Sequence, residues 1–366
     1  MKKLILKQVR DKMGESNVDS LIINGSSNIR YLTGFRGDFG YAVITPSHAV
    51  FLTNPLYIED ARSSVSDLFE IVEFEQNVFK NFGSFESSFW GKTTGFEEEK
   101  TTFAAHSRLK KALSGHRLIP TVNFIEEFRE SKHDQEIDTV KRAQAITELV
   151  FSEILSLVRE GVEERDIAIE IDYRFRKAGG ERAAFETIVA SGPNTSKPHA
   201  VPTRRKLQSG DFVLFDMGTF VDGYASDMTR TVVLGKASDE QRKVYGAVLD
   251  AQTAALEAVA SGAECAHIDS VARSVIDSAG FGDRFVHSLG HGVGLDVHEN
   301  PYLSKRSKVE THGHASLLRE RSIVTVEPGI YIPGWGGVRI EDMVVVKQHG
   351  CENLTGTTKE LVELSM

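Results

Sequence analysis

A weak internal repeat after about residue 131 constrains the fold of this chain more than any other feature. Gly161-Val162-Glu163 and Gly262-Ala263-Glu264 are 101 residues apart, and each triplet follows a long segment with helical spacing. Further along, His199-Ala200-Val201-Pro202 corresponds to His298-Glu299-Asn300-Pro301 at an offset of 99. Matches that keep the same order along the chain predict two structurally similar halves, related by a pseudo-twofold axis.

A further correspondence joins two apolar runs that each end in an acidic residue. Residues 212–215 and 323–326 have the composition of buried strands. A carboxylate beside buried strand residues is costly unless it is paired or bound to metal. After each run, a glycine turn leads into a second predicted strand with another acid. Two β-hairpins are therefore predicted to bring together four carboxylates: Asp216, Asp227, Glu327 and Glu341.

Four carboxylates at one place require positive charge nearby. They cannot all stay ionised unless cations compensate them, and two divalent ions would balance their charge. Candidate imidazole ligands lie between residues 287 and 299, where His287, His291 and His298 occur among glycines. Oxygen ligands with one imidazole suit manganese, cobalt, iron or zinc better than a thiolate-bound structural zinc.

The same features also have simpler interpretations. A single acid at the end of a strand is commonly a turn or cap residue, and two acids in one hairpin are often a solvated surface pair. His291 and His298 are seven residues apart, so a regular strand would place them on opposite faces. Their spacing alone does not place both histidines in one site.

The first ~125 residues, by contrast, have a mixed α/β pattern. Tyr41–Ile44 and Ala49–Leu52 are predicted strands joined by a tight turn, and a helix is expected near Tyr57–Ser64. Two helix starts are predicted from capping boxes, at Ser131-Lys132-His133-Asp134 and at Ser238-Asp239-Glu240-Gln241. We expect the first helix to extend towards Gly161 and to open the second of two domains, 1–128 and 129–366.

Composition excludes several classes of function. The 366 residues include 52 acidic and 43 basic side chains, a net charge of -9, which offers no basic field for nucleic acid or an anionic membrane. No apolar stretch approaches the ~18 residues of a membrane span. Two cysteines fit a reducing compartment, and we expect a cytoplasmic protein.

From about residue 131 to its end, the chain resembles the metallopeptidases with the pita-bread fold, which include methionine aminopeptidase, Xaa-Pro aminopeptidase and Xaa-Pro dipeptidase (prolidase). Asn28–Phe35 resembles the opening of the N-terminal domain of the proline-directed members and creatinase. The resemblance implies an α+β protein whose pita-bread domain with pseudo-twofold halves follows a smaller mixed α/β creatinase-type domain. The matching segments are Phe215–Gly218, Ser226–Thr231, Gly290–Gly294, Val297–Glu299, Glu327–Gly329 and Arg339–Asp342.

This resemblance also implies roles for individual residues. Two divalent ions, with manganese favoured and cobalt or zinc as alternatives, would be bound by Asp216, Asp227, His291, Glu327 and Glu341. His199 and His298 would line the substrate cleft and take part in catalysis, and Glu327 would also shuttle a proton. Arg339 would help to position substrate or the acid beside it, and His287 would line the substrate site less directly. A homodimer is expected.

We expect hydrolysis of the Xaa-Pro bond in proline-containing peptides. A dipeptidase is favoured over an aminopeptidase that acts on longer peptides. Two other interpretations stay open at this point: a non-catalytic binding protein with this fold, and a metal-free amidinohydrolase like creatinase.

Overall fold

The computed structural model of the protein describes residues 2–75, 77–305 and 316–365. The chain forms two compact units, Met1–Arg129 and Glu130–Met366, which we call the N-terminal and C-terminal units. No helix within the described ranges combines the length and the apolar character needed to cross a membrane.

The N-terminal unit is built on one six-stranded sheet in the order β4-β3-β2-β1-β5-β6. Its strands are β1 Ser20–Ile23, β2 Tyr41–Ile44, β3 Ala49–Thr53, β4 Glu70–Glu73, β5 Thr93–Glu97 and β6 Arg117–Thr121. The helices are α1 Lys2–Glu15, α2 Ser26–Thr33, α3 Ile58–Ser64, α4 Val78–Ser84, α5 Ser87–Trp90 and α6 Phe103–Ala112, and α7 Glu126–Glu130 leads out of the unit. The predicted β2–β3 hairpin and the helix α3 are confirmed.

Helices and two larger sheets alternate along the C-terminal unit. The helices are α8 Asp134–Ile154, α9 Glu164–Lys177, α10 Asp239–Ala258 and α11 Cys265–Ser278, with short 3-10 segments at Leu155–Leu157, Gly192–Ser196 and Gly282–Arg284. The strands are β7 Ile188–Ser191, β8 Phe212–Met217, β9 Phe220–Val221, β10 Tyr224–Ala225, β11 Met228–Leu234, β12 Gly290–Gly292, β13 Glu299–Leu303, β14 Ile323–Val326, β15 Gly329–Ile332, β16 Gly336–Arg339, β17 Asp342–Val346, β18 Cys351–Asn353 and β19 Glu363–Leu364. The larger sheets have the orders β19-β11-β8-β7 and β13-β12-β14-β17-β18.

The internal repeat corresponds to repeated structure. A long helix and a shorter one, α8 and α9 or α10 and α11, come before each sheet. The shorter helix begins three residues after a glycine in both halves, at Gly161 with φ 86° and at Gly262 with φ 82°. Such positive φ values favour glycine, because a Cβ atom would strain the backbone. Antiparallel pairs, β8–β11 and β14–β17, then carry the predicted acids in or beside their strands.

Alternation along β8 decides which side chains face the helices. Val213 and Phe215 pack in the core formed with α8 and α9. Leu214 belongs to a separate cluster with Ile188. Because neighbouring strand residues point to opposite faces, Asp216 shares the face of Leu214 and points away from the helical layer.

Two details at the start of the C-terminal unit differ from the sequence prediction. The capping box of α8 uses His133 and Glu136, not Ser131 and Asp134. Ser131 Oγ donates instead to the carbonyl of Glu320 at 2.8 Å, so it is not free to cap the helix. The α-helix also ends at Ile154 and continues as a 3-10 segment, well before Gly161.

The predicted capping box at the start of α10 is confirmed, and it provides a stability test. Ser238 Oγ accepts from the backbone N–H of Gln241 at 3.2 Å, while Gln241 Oε1 accepts from that of Ser238 at 2.9 Å. We expect Ser238→Ala to lower the free energy of unfolding by about 1 kcal/mol, because it leaves one helix N–H without its acceptor. Urea unfolding followed by circular dichroism measures this loss.

Ser274→Ala is the matched control, since Ser274 is exposed in the middle of α11 and donates only to the carbonyl of Ser270. Alanine favours a helix interior, so this change should be neutral or slightly stabilising. Equal destabilisation by both substitutions would contradict the assigned cap.

Candidate active site

One cavity of about 390 Å³ in the C-terminal unit collects all nine residues that the sequence singled out. They come from both halves of the repeat, which places the cavity where the halves meet. The nine residues are His199, Asp216, Asp227, His287, His291, His298, Glu327, Arg339 and Glu341.

Asp216 and Asp227 enter the cavity from the pair β8–β11. Asp216 lies within β8, and Asp227 immediately precedes β11. Asp216 Oδ2 accepts a hydrogen bond from Arg339 Nη2 at 2.6 Å. Its Oδ1 is buried and has no hydrogen-bond partner among the described residues. Buried polar atoms in proteins nearly always have a partner. A buried Oδ1 without one therefore indicates a position where a ligand can bind.

Glu327 and Glu341 hold the corresponding places in the second half. Glu327 links β14 to β15, and Glu341 links β16 to β17. The second predicted strand that follows the run 323–326 is divided in the structure: β16 pairs with β15, whereas β17 pairs with β14. Glu341 therefore lies where the chain changes partners, and its Oε2 accepts from Thr229 Oγ1 at 2.6 Å.

His291 and His298 lie together in spite of their unfavourable spacing. His291 is in β12, and His298 directly precedes β13, the antiparallel neighbour of β12. The chain turns back between them, and their ring centroids are 4.2 Å apart. A Cβ atom at Gly292 would collide with the carbonyl oxygen of Asn300, so this close approach requires glycine. The irregular hairpin removes the objection that a regular strand would raise.

The ring of His291 is oriented towards the acids. Its Nδ1 lies 3.1 Å from the carbonyl oxygen of Gly292. Its Nε2 lies 3.4 Å from Glu327 Oε1 and 3.7 Å from Asp227 Oδ2. A proton on Nδ1 that is donated to the carbonyl leaves Nε2 directed at the carboxylates, which is the orientation of a metal-binding histidine.

Without a cation, burial and mutual repulsion keep protons on the acids. Burial raises the pKa of Asp227 well above its ordinary value, and the charges of Glu341 and Asp216 raise it further. Burial likewise raises the pKa of Glu341 well above the ordinary value, with contributions from Glu327 and Asp216. The pKa of Asp216 is also raised by burial, although the charge of Arg339 opposes the shift.

Glu327 differs from the other three acids because it pairs with His291. Burial alone would raise the pKa of Glu327, but the hydrogen bond and the charge of His291 hold it at about 2. Burial alone would lower the pKa of His291, whereas Glu327 raises it above its ordinary value. Both pKa shifts favour the charged forms of this pair, a carboxylate on Glu327 and an imidazolium on His291.

The donor set fits divalent cations. Ligand atoms of Asp227, His291 and Glu341 lie within 4.8 Å of one another, and Asp216 adds its unpartnered oxygen. Carboxylate oxygens with one imidazole are ligands of manganese, cobalt, iron and zinc. A cation would also compensate the repulsion that raises the pKa values of the acids.

Two predicted substrate-binding residues line the cavity but already have protein partners. His287 Nδ1 contacts the carbonyl of Ser288 at 2.7 Å, and its Nε2 contacts Tyr331 Oη at 2.8 Å. Arg339 donates to the same Tyr331 Oη at 2.8 Å as well as to Asp216. Both side chains therefore form hydrogen bonds with neighbouring protein groups. Through its hydrogen bond, Arg339 orients Asp216 directly.

Sequence reasoning missed Tyr331 and Thr229, which connect these groups. Thr229 Oγ1 accepts from Arg339 Nε at 3.0 Å and donates to Glu341. Burial raises the pKa of Tyr331 to about 12, so its hydroxyl keeps its proton. Thr229 lies two residues after Asp227, and residues at this spacing in a strand share a face. The sequence could therefore have indicated Thr229, whereas no local pattern marks Tyr331.

The remaining cavity wall is largely apolar. His199 is exposed at the cavity, as is His298. Sequence reasoning did not assign the apolar residues to the site. Those that flank His199 in the chain could have been inferred from it, whereas Phe185 and Ile188 belong to a segment that only the fold brings there. The apolar residues are Phe185, Ile188, Pro198, Ala200, Val201, Pro202 and Tyr302.

Comparison with known families identifies the class of protein. Residues 138–348 match metallopeptidase family M24, and residues 5–131 match the creatinase/prolidase N-terminal domain. The first match alone covers more than half of the chain. The chain belongs to metallopeptidase family M24. These matches confirm the expected fold class, a pita-bread domain preceded by a creatinase-type domain.

Individual M24 proteins are similar over almost the whole chain. A Xaa-Pro dipeptidase of Pyrococcus horikoshii is 33% identical over 365 residues, which cover 98% of each chain. The structure of a Xaa-Pro dipeptidase from Bacillus anthracis has a TM-score of 0.95 and 35% identity over 100% of both chains. An X-Pro aminopeptidase from Thermotoga maritima has a TM-score of 0.87 and 34% identity, covering 95% of this chain and 98% of its own.

The raised pKa values predict that metal binding releases protons. Asp227 and Glu341 hold protons below their raised pKa values, and a carboxylate must be ionised to bind metal. Titration of Mn²⁺ into the metal-free protein at pH 6 should therefore release protons. As the pH rises, fewer protons should be released and the apparent affinity should increase. Calorimetry in two buffers of different ionisation enthalpy counts the protons.

The Asp227→Asn variant is the control for this titration. It should bind Mn²⁺ more weakly and release fewer protons, and its thermal midpoint without metal should not fall, because a neutral amide replaces a repelled carboxylate. Binding at pH 6 with no proton release would contradict the assigned electrostatics.

Proposed function

We propose that this M24 protein is a Xaa-Pro dipeptidase that depends on two divalent ions. The observation that carries the proposal is the convergence of four carboxylates and His291 in one cavity that also contains His199 and His298. Relatives named Xaa-Pro dipeptidase over nearly the full length of the chain support the choice of substrate.

Five residues are proposed to hold the ions: Asp216, Asp227, His291, Glu327 and Glu341. Manganese is our first choice, with cobalt or zinc as alternatives. When bound, such ions supply a hydroxide nucleophile near neutral pH and polarise the scissile carbonyl. Arg339 and Thr229 maintain the orientations of Asp216 and Glu341 through the hydrogen bonds described above.

Glu327 is proposed to move the proton of the attacking water. It lines the cavity, and its Oε1 lies 3.4 Å from His291 Nε2, beside the other proposed ligands. A base in this position can take a proton and pass it towards the proline nitrogen, which must be protonated to leave.

His298 and His199 are proposed to stabilise the oxyanion and to contact substrate. Burial and the charge of His291 lower the pKa of His298, so its ring is neutral near pH 7. A neutral imidazole still donates one N–H, which can stabilise charge that develops on the carbonyl oxygen. The apolar wall, including Val201 and Tyr302, suits the side chain of the residue before proline or the proline ring.

An alternative is a Xaa-Pro aminopeptidase that acts on longer peptides. The Thermotoga maritima structure named X-Pro aminopeptidase favours it, since its similarity is almost as extensive as that of the dipeptidases. Exposed Val201 and Tyr302 show that the cavity opens to solvent on at least one side, where a longer peptide could extend.

Three further features are part of this proposal. The domains are assigned to 1–128 and 129–366, the protein is taken to be a cytoplasmic homodimer, and its substrates are di- or oligopeptides that contain proline. Size-exclusion chromatography with light scattering tests the oligomeric state.

A paired-substrate assay tests the activity. We expect the Mn²⁺-loaded protein to hydrolyse a Xaa-Pro dipeptide, and a chelator to abolish hydrolysis. A Xaa-Pro-Xaa tripeptide should be cleaved poorly, and efficient cleavage would favour the aminopeptidase. Hydrolysis that survives the chelator would instead indicate metal-free chemistry like that of creatinase. Inactivity on both peptides, with metal shown to be bound, would favour a non-catalytic binding protein.

His298→Ala tests the assignment of the oxyanion contact. We expect kcat to fall by about 10²- to 10⁴-fold, because one acid/base or oxyanion interaction is worth that much. His267→Ala, at an exposed position of α11, is the matched control and should leave kcat unchanged. A near-normal rate for His298→Ala would remove this residue from the mechanism.

A further inference from the structure

A loop between β7 and β8 carries His199 to the cavity. We call residues 192–202 the His199 loop. Five consecutive residues of this loop line the cavity: Pro198, His199, Ala200, Val201 and Pro202. The position of the imidazole therefore depends on what holds the loop.

A single buried carboxylate, that of Glu164, binds both ends of the His199 loop. Glu164 lies in the first turn of α9 and is 1% exposed. Its Oε1 accepts from the backbone N–H and the hydroxyl of Ser191, both at 2.7 Å. Its Oε2 accepts from the backbone N–H of Thr203 at 3.0 Å and from the hydroxyl at 2.6 Å. Asn194 Nδ2 reaches both oxygens, at 3.1 and 3.2 Å.

The middle of the loop is attached to β16, the strand that ends at Arg339. Thr195 Oγ1 accepts from the backbone N–H of Gly337 at 2.7 Å. Arg339 Nη1 donates to the carbonyl of Pro198, the residue before His199, at 3.2 Å. These two contacts join the middle of the loop to the strand whose Arg339 also donates to Asp216.

The described residues of the second half, which exclude 306–315, show no counterpart of this arrangement. The 101-residue offset that maps Gly161 onto Gly262 maps Glu164 onto Cys265. Helix α11 begins at Cys265 without a carboxylate at that position. A thiol is a weak acceptor and cannot replace a carboxylate that receives six hydrogen bonds. A carboxylate at this position is therefore not required to begin the helix. The hydrogen bonds of Glu164 go instead to residues in or beside the His199 loop.

We propose that Glu164 is a positioning residue that acts on the reaction through His199. Its two oxygens fix the distance between Ser191 and Thr203, and the loop between them then has one path to the cavity. The effect of Glu164 on catalysis rests on the proposed peptidase function, because it requires that His199 contacts substrate. The effect of Glu164 on the position of the loop does not depend on that function.

Hydrogen–deuterium exchange of the Mn²⁺-loaded protein tests the structural consequence. Glu164→Gln keeps the size of the side chain but replaces one acceptor oxygen with an NH₂ group that cannot accept. We expect faster amide exchange in residues 191–203 and unchanged exchange in the hairpin 290–303.

Glu136→Gln is the matched control for this exchange experiment. Glu136 is also a buried carboxylate in the first turn of a helix, where it accepts from the backbone N–H of His133 at 2.8 Å and from Tyr224 Oη at 2.7 Å. This variant should leave exchange in residues 191–203 as in the wild type. Wild-type exchange there in Glu164→Gln would overturn the proposal.

A double-mutant cycle with a Xaa-Pro substrate tests the action through His199. Glu164→Gln alone should lower kcat/KM by about 10- to 100-fold, because a small misplacement of a contact group costs that much. The decrease in kcat/KM should come from changes in kcat and in KM in the same proportion as in His199→Ala. In the His199→Ala background, Glu164→Gln should have almost no further effect.

Additive losses in the cycle would show a general structural role for Glu164 and would overturn the proposal. Glu136→Gln, by contrast, should combine additively with His199→Ala. A wild-type protein that is inactive on every Xaa-Pro peptide would refute the proposed function, and the exchange experiment would still decide whether Glu164 holds the loop.

Discussion

Repulsion between four converging carboxylates, two of them buried and two partly buried, is the constraint on which the C-terminal unit depends. Burial and proximity raise the pKa values of Asp216, Asp227 and Glu341, so the site binds protons until a cation replaces them. Two positive groups offset part of this cost: Arg339 at Asp216, and the protonated ring of His291 at Glu327. A divalent cation at this site would compensate the same repulsion.

A second set of buried charges supports the backbone behind this site. Arg230 Nη1 donates to the carbonyl of Glu341 at 2.5 Å, and its Nη2 donates to Asp342 at 2.7 Å. Asp342 also accepts from Lys359 at 3.0 Å and from Gln252 at 3.0 Å. A buried carboxylate with this many donors fixes the chain at the point where it changes partners between β16 and β17. Glu341 is thereby held by its backbone as well as by Thr229.

The two halves contribute similar frameworks but different details. Each supplies a pair of antiparallel strands with two acids. The first half adds His199 at the cavity, and the second adds His287, His291 and His298, so the proposed ligand set draws on both halves. The differences lie in the supports: Glu164 holds the His199 loop in the first half, while Cys265 takes its place in the second.

By itself, the sequence determined the residue types and their order. The repeat, the acids after apolar runs and the capping box at Ser238 were readable because each depends on residues close together in the chain. It did not determine the partners of Thr229, Tyr331 and Glu164, nor the meeting of His291 with His298. Hydrogen bonds such as Thr229–Glu341 and Arg339–Asp216 join residues more than 100 positions apart. Only the tertiary structure decides such pairs, because they follow from how the strands pack and turn rather than from local preference.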